Sequence, residues 1–306
     1  MYLSYSGHKT YKECPRQYWH KYIDKTTLPV PDNRVNTLYG SVVGILFELF
    51  YAEKIWTRSG VISILESKVD AVLGDTIAKC LRDGAIDWSD PKANYKSLDA
   101  LRKDVLSSIP RGVEIIRHHR LLGLDAAAEV KLDRTIEGHV IGGRADFIMR
   151  RVRPHDDLVI LDGKGSRHRD KYVDPQQLWW YAMLYRDQHG IMPDRLGFVF
   201  WRQDPDKSLD WVSFDGHALD DLRAVVLGSI RDIEANRETL ASIPTLEEKL
   251  AARHELFPTF IGGKCNLCAY QSVCREGSAY TGKRLNVVQP TEVGVGDFGF
   301  DGGSEE

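Results

Sequence analysis

Leu158-Val159-Ile160-Leu161-Asp162-Gly163-Lys164 opens with four apolar residues in a row, rich in β-branching, the pattern of a strand buried on both faces. Gly163 and Gly165 mark where that strand gives out, so Asp162 and Lys164 fall at its end. Side chains two apart on a strand point to the same side. The carboxylate and the ammonium therefore face one common space, and Gly163 is expected to leave room there for a close approach. An isolated Asp/Lys pair at a strand end also reads as a surface ion pair of well under about 1 kcal/mol. The flanking residues separate the two readings.

Upstream, His139-Val140-Ile141-Gly142-Gly143-Arg144-Ala145-Asp146-Phe147-Ile148-Met149 is a second strand-like run whose glycines predict a bend before Asp146. The turn-forming Arg153-Pro154-His155-Asp156-Asp157 joins the two runs as a hairpin and sets Asp146 beside Asp162. Two carboxylates so placed repel unless a cation lies between them, and hard oxygen donors select Mg2+ or Mn2+ over thiophilic metals. Downstream, Asp174 reads as the N-cap of a helix with Pro175 in its first turn. Gln177 and Tyr181, four apart, share the face that returns to the site.

Gly143-x-x-Asp146, Asp162-x-Lys164 and Gln177-x-x-x-Tyr181, on strand, strand and helix in that order, resemble the motifs of the PD-(D/E)xK nuclease superfamily in its RecB-type branch. The resemblance implies an α/β, restriction-endonuclease-like fold, a mixed sheet flanked by helices, acting as a metal-dependent DNA exonuclease. It implies that Asp146 and Asp162 bind one or two divalent ions. Lys164 would orient or help deprotonate the attacking water, and Gln177 and Tyr181 would hold the strand near the scissile phosphate. A metal that acidifies its bound water and offsets charge on the phosphorane, with a lysine beside it, supplies that chemistry.

Members of this branch often carry Gly-x-x-x-His on an earlier helix, with the imidazole as a metal ligand. Here the residues are Gly40-Ser41-Val42-Val43-Gly44, and Glu48 follows one turn later, either as a metal ligand or as a helix-surface acid. In this reading Arg144 touches phosphate, and the loop after Lys164 offers Arg167, Arg169 and Lys171 to track it. Glu129, in the alternating run Ala128 to Ile136, is within reach of the site but reads first as a strand-face acid, and the adjacent His118 and His119 as solvated or capping. The implied partner is DNA, single-stranded or as duplex ends, together with a recombination, repair or CRISPR protein; nothing marks an oligomer interface.

Five cysteines, an odd number, speak for metal or cluster ligation rather than disulfides. Cys265, Cys268 and Cys274 form C-x2-C-x5-C, and Cys14, followed by Pro15, adds a fourth thiol from the other end of the chain; Cys80 reads as core. Spacing alone leaves zinc and iron-sulfur both open. An N-terminal Cys-Pro with C-x2-C-x5-C after the nuclease motifs is similar to the iron-sulfur nucleases of the AddB, CRISPR-associated and eukaryotic nuclease-helicase types. That resemblance implies a structural [4Fe-4S] cluster on Cys14, Cys265, Cys268 and Cys274.

The 306 residues, 42% of them hydrophobic, suffice for one large domain or two modest ones. A net charge of -3 gives no global signature of a nucleic-acid binder, so a nuclease here needs a local positive groove. No apolar run approaches the roughly 20 residues that span a bilayer, and no signal-peptide pattern opens the chain, so a soluble cytoplasmic protein without membrane contact is expected. Thr37 to Arg58 reads as one long helix, and the apolar stripes between Val61 and Leu122 read as helices interrupted at Pro110. The expected organisation is an iron-sulfur lobe from 1–36 and 241–285, a helical region 37–122, a nuclease core 123–240 and a flexible acidic tail 286–306. Two rivals stand beside it. A non-catalytic DNA-binding or scaffold module on the same fold is favoured by Gly44 and opposed by the intact acids and lysine; a zinc-stapled restriction-type endonuclease is the other.

Overall fold

The computed structural model describes residues 1–24, 33–123, 125–152, 155–166, 168–169 and 173–282. Arg167, Lys171 and the expected tail 286–306 lie outside these residues. In chain order the elements are β1 (Tyr2–Ser4), α1 (Tyr5–Glu13), α2 (Pro15–Tyr18), α3 (Val35–Ala52), α4 (Val61–Asp83), α5 (Leu98–His118), β2 (Asp125–Ile136), β3 (His139–Val152) and β4 (Asp157–Lys164). There follow α6 (Pro175–His189), β5 (Arg195–Phe200), β6 (Leu209–Val212), α7 (Gly216–Ser242), α8 (Leu246–Leu256) and α9 (Arg275–Thr281). The chain divides into two units, Met1–His8 with Pro31–Arg237, and Lys9–Val30 with Glu238–Glu306. The first eight residues, expected in the iron-sulfur lobe, therefore belong with the sheet.

In the first unit β3 is the axis of a mixed sheet. β2 pairs antiparallel along its whole length, β4 antiparallel with Phe147 to Val152, and β1 parallel with Val140 to Gly142. A strand has only two edges, so β1 and β4 share the second one end to end, and Gly143 to Asp146 lie in the gap between them. β5 adds parallel to β4, and β6 antiparallel to β5.

One face of the sheet carries Phe147, Val159, Leu161, Val199 and Trp201 into a core with α3, α4 and α5. Phe47 of α3 stacks on Trp201 at 4.2 Å between ring centroids, and a Cβ on Gly112 of α5 would stand 1.9 Å from the Phe47 ring. α3 is long and apolar enough, by composition alone, to cross a bilayer, but its Val42, Leu46 and Phe50 are buried in this core. It also ends at Ala52, short of the expected Arg58. α5 runs unbroken through Pro110 because that residue is exposed while Leu101, Val105, Ile109, Val113 and Ile116 hold both halves against one core. His119 caps rather than ligates, its Nε2 lying 2.7 Å from the Pro205 carbonyl.

The glycines of β3 do not bend it, because the strand continues from His139 to Val152. They make room instead. A Cβ on Gly142 would meet Asp133 Oδ1 at 2.3 Å, and one on Gly143 would meet the Tyr181 ring at 3.1 Å.

In the second unit Pro15 occupies the first helical position of α2, with Cys14 at its N-cap. The Arg16 side chain is buried and donates to the Phe257 carbonyl at 2.8 Å and the Arg253 carbonyl at 3.1 Å. Trp19 packs on Phe257, and His20 stacks on Tyr270. α8 opens with a capping box in which Glu248 N donates to Thr245 Oγ1. Cys274 caps α9, its sulfur accepting from Gly277 N.

Candidate active site

The pairing of β3 with β4 ends at Phe147 with Leu161, one residue short of Asp146 and Asp162. The pairing of β2 with β3 runs Ala128 with Phe147 and Val130 with Ala145 and passes over Glu129 and Asp146. Three carboxylates from three adjacent strands thus gather where the pairing lapses. Glu129 has a positive φ of 50°, a left-handed conformation that takes it out of the strand alternation. It shares a hydrogen bond with Glu48 of α3 and an ion pair with Arg144 at 3.2 Å. The sequence treats Glu129 as an ordinary strand-face acid, and no periodicity argument reveals a backbone twist at one residue.

At the end of β4 the period of two holds. Lys164 Nζ lies 2.5 Å from Asp162 Oδ2 and donates to Gln177 Oε1 at 3.0 Å. Gln177 Nε2 donates to Asp162 Oδ1 at 2.7 Å and to the Tyr181 hydroxyl oxygen at 3.2 Å. α6 therefore delivers Gln177 to Asp162 and Lys164, with the Tyr181 hydroxyl bonded to Gln177. Asp162 is 1% exposed. Asp146 Oδ2 accepts from the Gly163 backbone N–H at 2.8 Å, which fixes its carboxylate against β4.

Gly163 does not open the site to a close approach. The space a Cβ would take is occupied by Trp201 Nε1 at 2.8 Å and Phe147 at 3.3 Å. The close approach occurs at Gly165, where a Cβ would lie 2.5 Å from Gly40 Cα, so α3 touches the end of β4 backbone to backbone. Gly44 stands near the Glu48 carboxylate, 3.6 Å from an added Cβ to Oε1. The carboxyl of Glu48 thus lies beside the residue that stands in place of the family's imidazole.

Asp174 sits at the N-cap position of α6, but its side chain makes no cap hydrogen bond and instead accepts from the Tyr5 hydroxyl. Arg169 is ion-paired with Asp210 and lies over the Phe200 ring, so its charge is already matched. Arg144 is exposed and engaged by Glu129.

The electrostatics of these acids follow from burial and like charge. Burial, and then the charge of Asp162, hold Asp146 well above the carboxylate range, against the Gly163 N–H that lowers it. Burial raises Asp162 as well, opposed by Lys164. Glu48 is pushed up to about 7 by burial, then by the charge and hydrogen bond of Glu129. Burial, with the nearby acids, keeps the Tyr181 hydroxyl protonated far above the ordinary tyrosine value. Among the described residues no three His, Cys, Asp or Glu side chains converge as a ready metal site. The donor chemistry nevertheless fits a hard dication: the oxygens belong to acids whose charged forms burial and mutual repulsion disfavour, and a divalent ion relieves both.

Cys14, Cys265 and Cys274 each act electrostatically on Cys268, so the second unit brings the four motif thiols into one neighbourhood. Cys80 is absent from that set and packs against the helical core.

A mixed sheet flanked by helices, with two acids and a lysine at the end of one hairpin and a Gln/Tyr helix laid over them, is consistent with a restriction-endonuclease-like fold. The chain belongs to the PD-(D/E)XK nuclease superfamily, whose sequence model matches residues 2–275. No curated protein sequence matches it. Among solved structures, a Eubacterium rectale protein provisionally called an exonuclease is 14% identical, with 90% of this chain and 89% of that one covered and a TM-score of 0.46. The protein SSO0001 is 16% identical, over 57% of this chain and 75% of that one, at a TM-score of 0.30. VC1899 from Vibrio cholerae is 13% identical, over 66% and 49%, at 0.22.

Proposed function

We propose that this chain is a divalent-metal-dependent deoxyribonuclease that hydrolyses phosphodiester bonds from DNA ends. The observation that carries the reading is the buried Asp162 with Lys164 2.5 Å from it, Gln177 bonded to both, and Asp146 held against the same strand end by the Gly163 N–H. In this reading Asp146 and Asp162 hold Mg2+ or Mn2+, with Glu48 beside them. When bound, the ion acidifies a water and neutralises charge on the phosphate. Lys164 orients that water, and its contact with Gln177 keeps the ammonium from swinging away. Gln177 also steadies Asp162, and Tyr181, held neutral, offers a hydroxyl to the DNA strand.

The four thiols of the second unit form, in the same reading, the seat of a structural [4Fe-4S] cluster. Four neighbouring thiols are the donor set of a tetrahedral zinc or of the four iron corners of a cubane, and the resemblance favours the cubane. Their cluster ties Lys9–Val30 to Glu238–Glu306.

The test is an assay on end-labelled linear and covalently closed circular DNA in Mg2+ and in Mn2+. Loss of label from linear DNA with circles left intact supports the exonuclease reading, and nicking of circles favours an endonuclease. The glycine at position 44 favours one further reading, a DNA-binding module without catalysis, and saturable binding with no cleavage in either metal would establish it.

A further inference from the structure

Lys164 ends in an ammonium on a flexible four-carbon stem, so its aim depends on what surrounds the charge. Nζ lies 2.5 Å from Asp162 Oδ2 and donates to Gln177 Oε1 at 3.0 Å. An ammonium has three N–H donors, and these two oxygens take at most two of them. The remaining donor is the one that can hold a water. A third oxygen beside the ammonium would consume it, so a further restraint on the charge has to attract without accepting a directed hydrogen bond. The face of an aromatic ring does this, because its quadrupole draws a cation over the whole face.

β5 supplies such a ring. It pairs parallel with β4, Asp162 beside Phe198 and Lys164 beside Phe200. Val199 and Trp201 turn into the helical core with Leu161, so Phe198 and Phe200 line the opposite face, the one that carries Asp162 and Lys164. Phe198 is fully buried, and Lys164 Nζ lies 5.2 Å from the centre of its ring. The ammonium therefore leans back along the strand to the place where Asp162 and Phe198 stand side by side. Phe200 repeats the arrangement two residues on, with the Arg169 guanidinium 5.8 Å from the centre of its ring. An aliphatic side chain would fill the same buried position on β5 but would offer the ammonium nothing.

We propose that Phe198 is a positioning residue for the reaction: its ring face holds the Lys164 ammonium at Asp162 and leaves one N–H donor free for the attacking water. The role of the water rests on the nuclease reading above, whereas the seat of the ammonium rests on the contact itself.

The experiment uses the full chain with mono-, di- and trifluorinated phenylalanine in place of Phe198, introduced by codon suppression. Each fluorine draws charge from the ring face while the ring keeps its shape and nearly its volume. Single-turnover cleavage of end-labelled linear DNA at saturating protein in Mg2+ is expected to slow stepwise, the logarithm of the rate constant falling with the number of fluorines by about tenfold in all, with DNA affinity held within about twofold. Equal rates across the series, or rates that follow the thermal midpoint rather than the fluorine count, overturn the positioning role and leave the nuclease reading standing. A parent that cleaves in neither Mg2+ nor Mn2+ defeats that reading, and the contact is then decided without it. In EDTA, nuclear magnetic resonance of lysine-labelled chain should place the ε-methylene signal of Lys164, assigned by its loss in Lys164→Ala, upfield of the other lysines through the ring current of Phe198, and Phe198→Leu should return it to their range. That result upholds the ring as the seat of the ammonium; a parent signal already within the range of the other lysines overturns the contact and the proposal together. If Phe198→Leu does not fold, the position of the parent signal decides by the same criterion.

Discussion

Glu48 keeps its proton up to about pH 7, far above its ordinary 4.5, because burial and the charge of Glu129 disfavour its ionised form. The folded chain therefore binds more protons than the unfolded one between those values. The stability Glu48 contributes is present below 4.5 and is lost as pH rises toward 7. Burial lowers His20, His119 and His254 below 6.5, which acts in the opposite sense, so the informative quantity is the difference between parent and Glu48→Gln. In EDTA the denaturant midpoint of the parent is expected to fall relative to Glu48→Gln across that interval, and saturating Mn2+ should abolish the divergence. Parallel pH profiles in EDTA would show that Glu48 carries no such strain. Asp146, Asp162 and Lys164 were legible in the sequence because the period of two fixes their side once the strand end is found. Glu129 was not, since its place depends on one left-handed residue. The ion pair of Arg169 was not legible either, because its partner, Asp210, lies on a strand distant in sequence.

Elements meet at this site through glycine. Gly40 of α3 and Gly165 after β4 touch, but not symmetrically: a Cβ on Gly165 would lie 2.5 Å from Gly40 Cα, while one on Gly40 would lie 3.8 Å from Gly165 Cα. Gly165→Ala is therefore expected to cost about 1–3 kcal/mol and to weaken metal-dependent cleavage by moving Glu48 away from the acids, whereas Gly40→Ala should be tolerated. Thermal midpoints and cleavage rates of the two variants check this, and equal behaviour would remove the contact from the account. The hairpin of β3 with β4 was readable from the apolar runs and the turn between them, but the order of the other strands in the sheet was not. β1 was not, because three residues carry no period, and neither was the continuity of α5, because a proline breaks a helix only where packing fails to hold both sides. The glycines of β3 signalled close packing by Tyr181 and Asp133 rather than a bend, two causes that leave the same mark on a sequence.

At the scale of the whole molecule, segments from both ends of the chain form one unit and the catalytic candidates all lie in the other. In the proposed reading a cluster joining Cys14 to Cys265, Cys268 and Cys274 would close a loop of more than two hundred residues, a restraint on the unfolded chain of about 5–6 kcal/mol. Cys268→Ala is expected to lose iron and to lower the thermal midpoint while DNA hydrolysis persists below it, as iron analysis, calorimetry and a cleavage assay will show; unchanged iron and midpoint would contradict the structural role. The central claim is that Asp162 and Lys164 act on one dication and its water. Its most direct test is single-turnover cleavage of end-labelled linear DNA in Mg2+ and Mn2+ by folded Asp162→Ala and Lys164→Ala beside the parent. The expected result is cleavage by the parent and its abolition in both variants with cluster absorbance intact; cleavage at the parent rate in both would contradict the assignment.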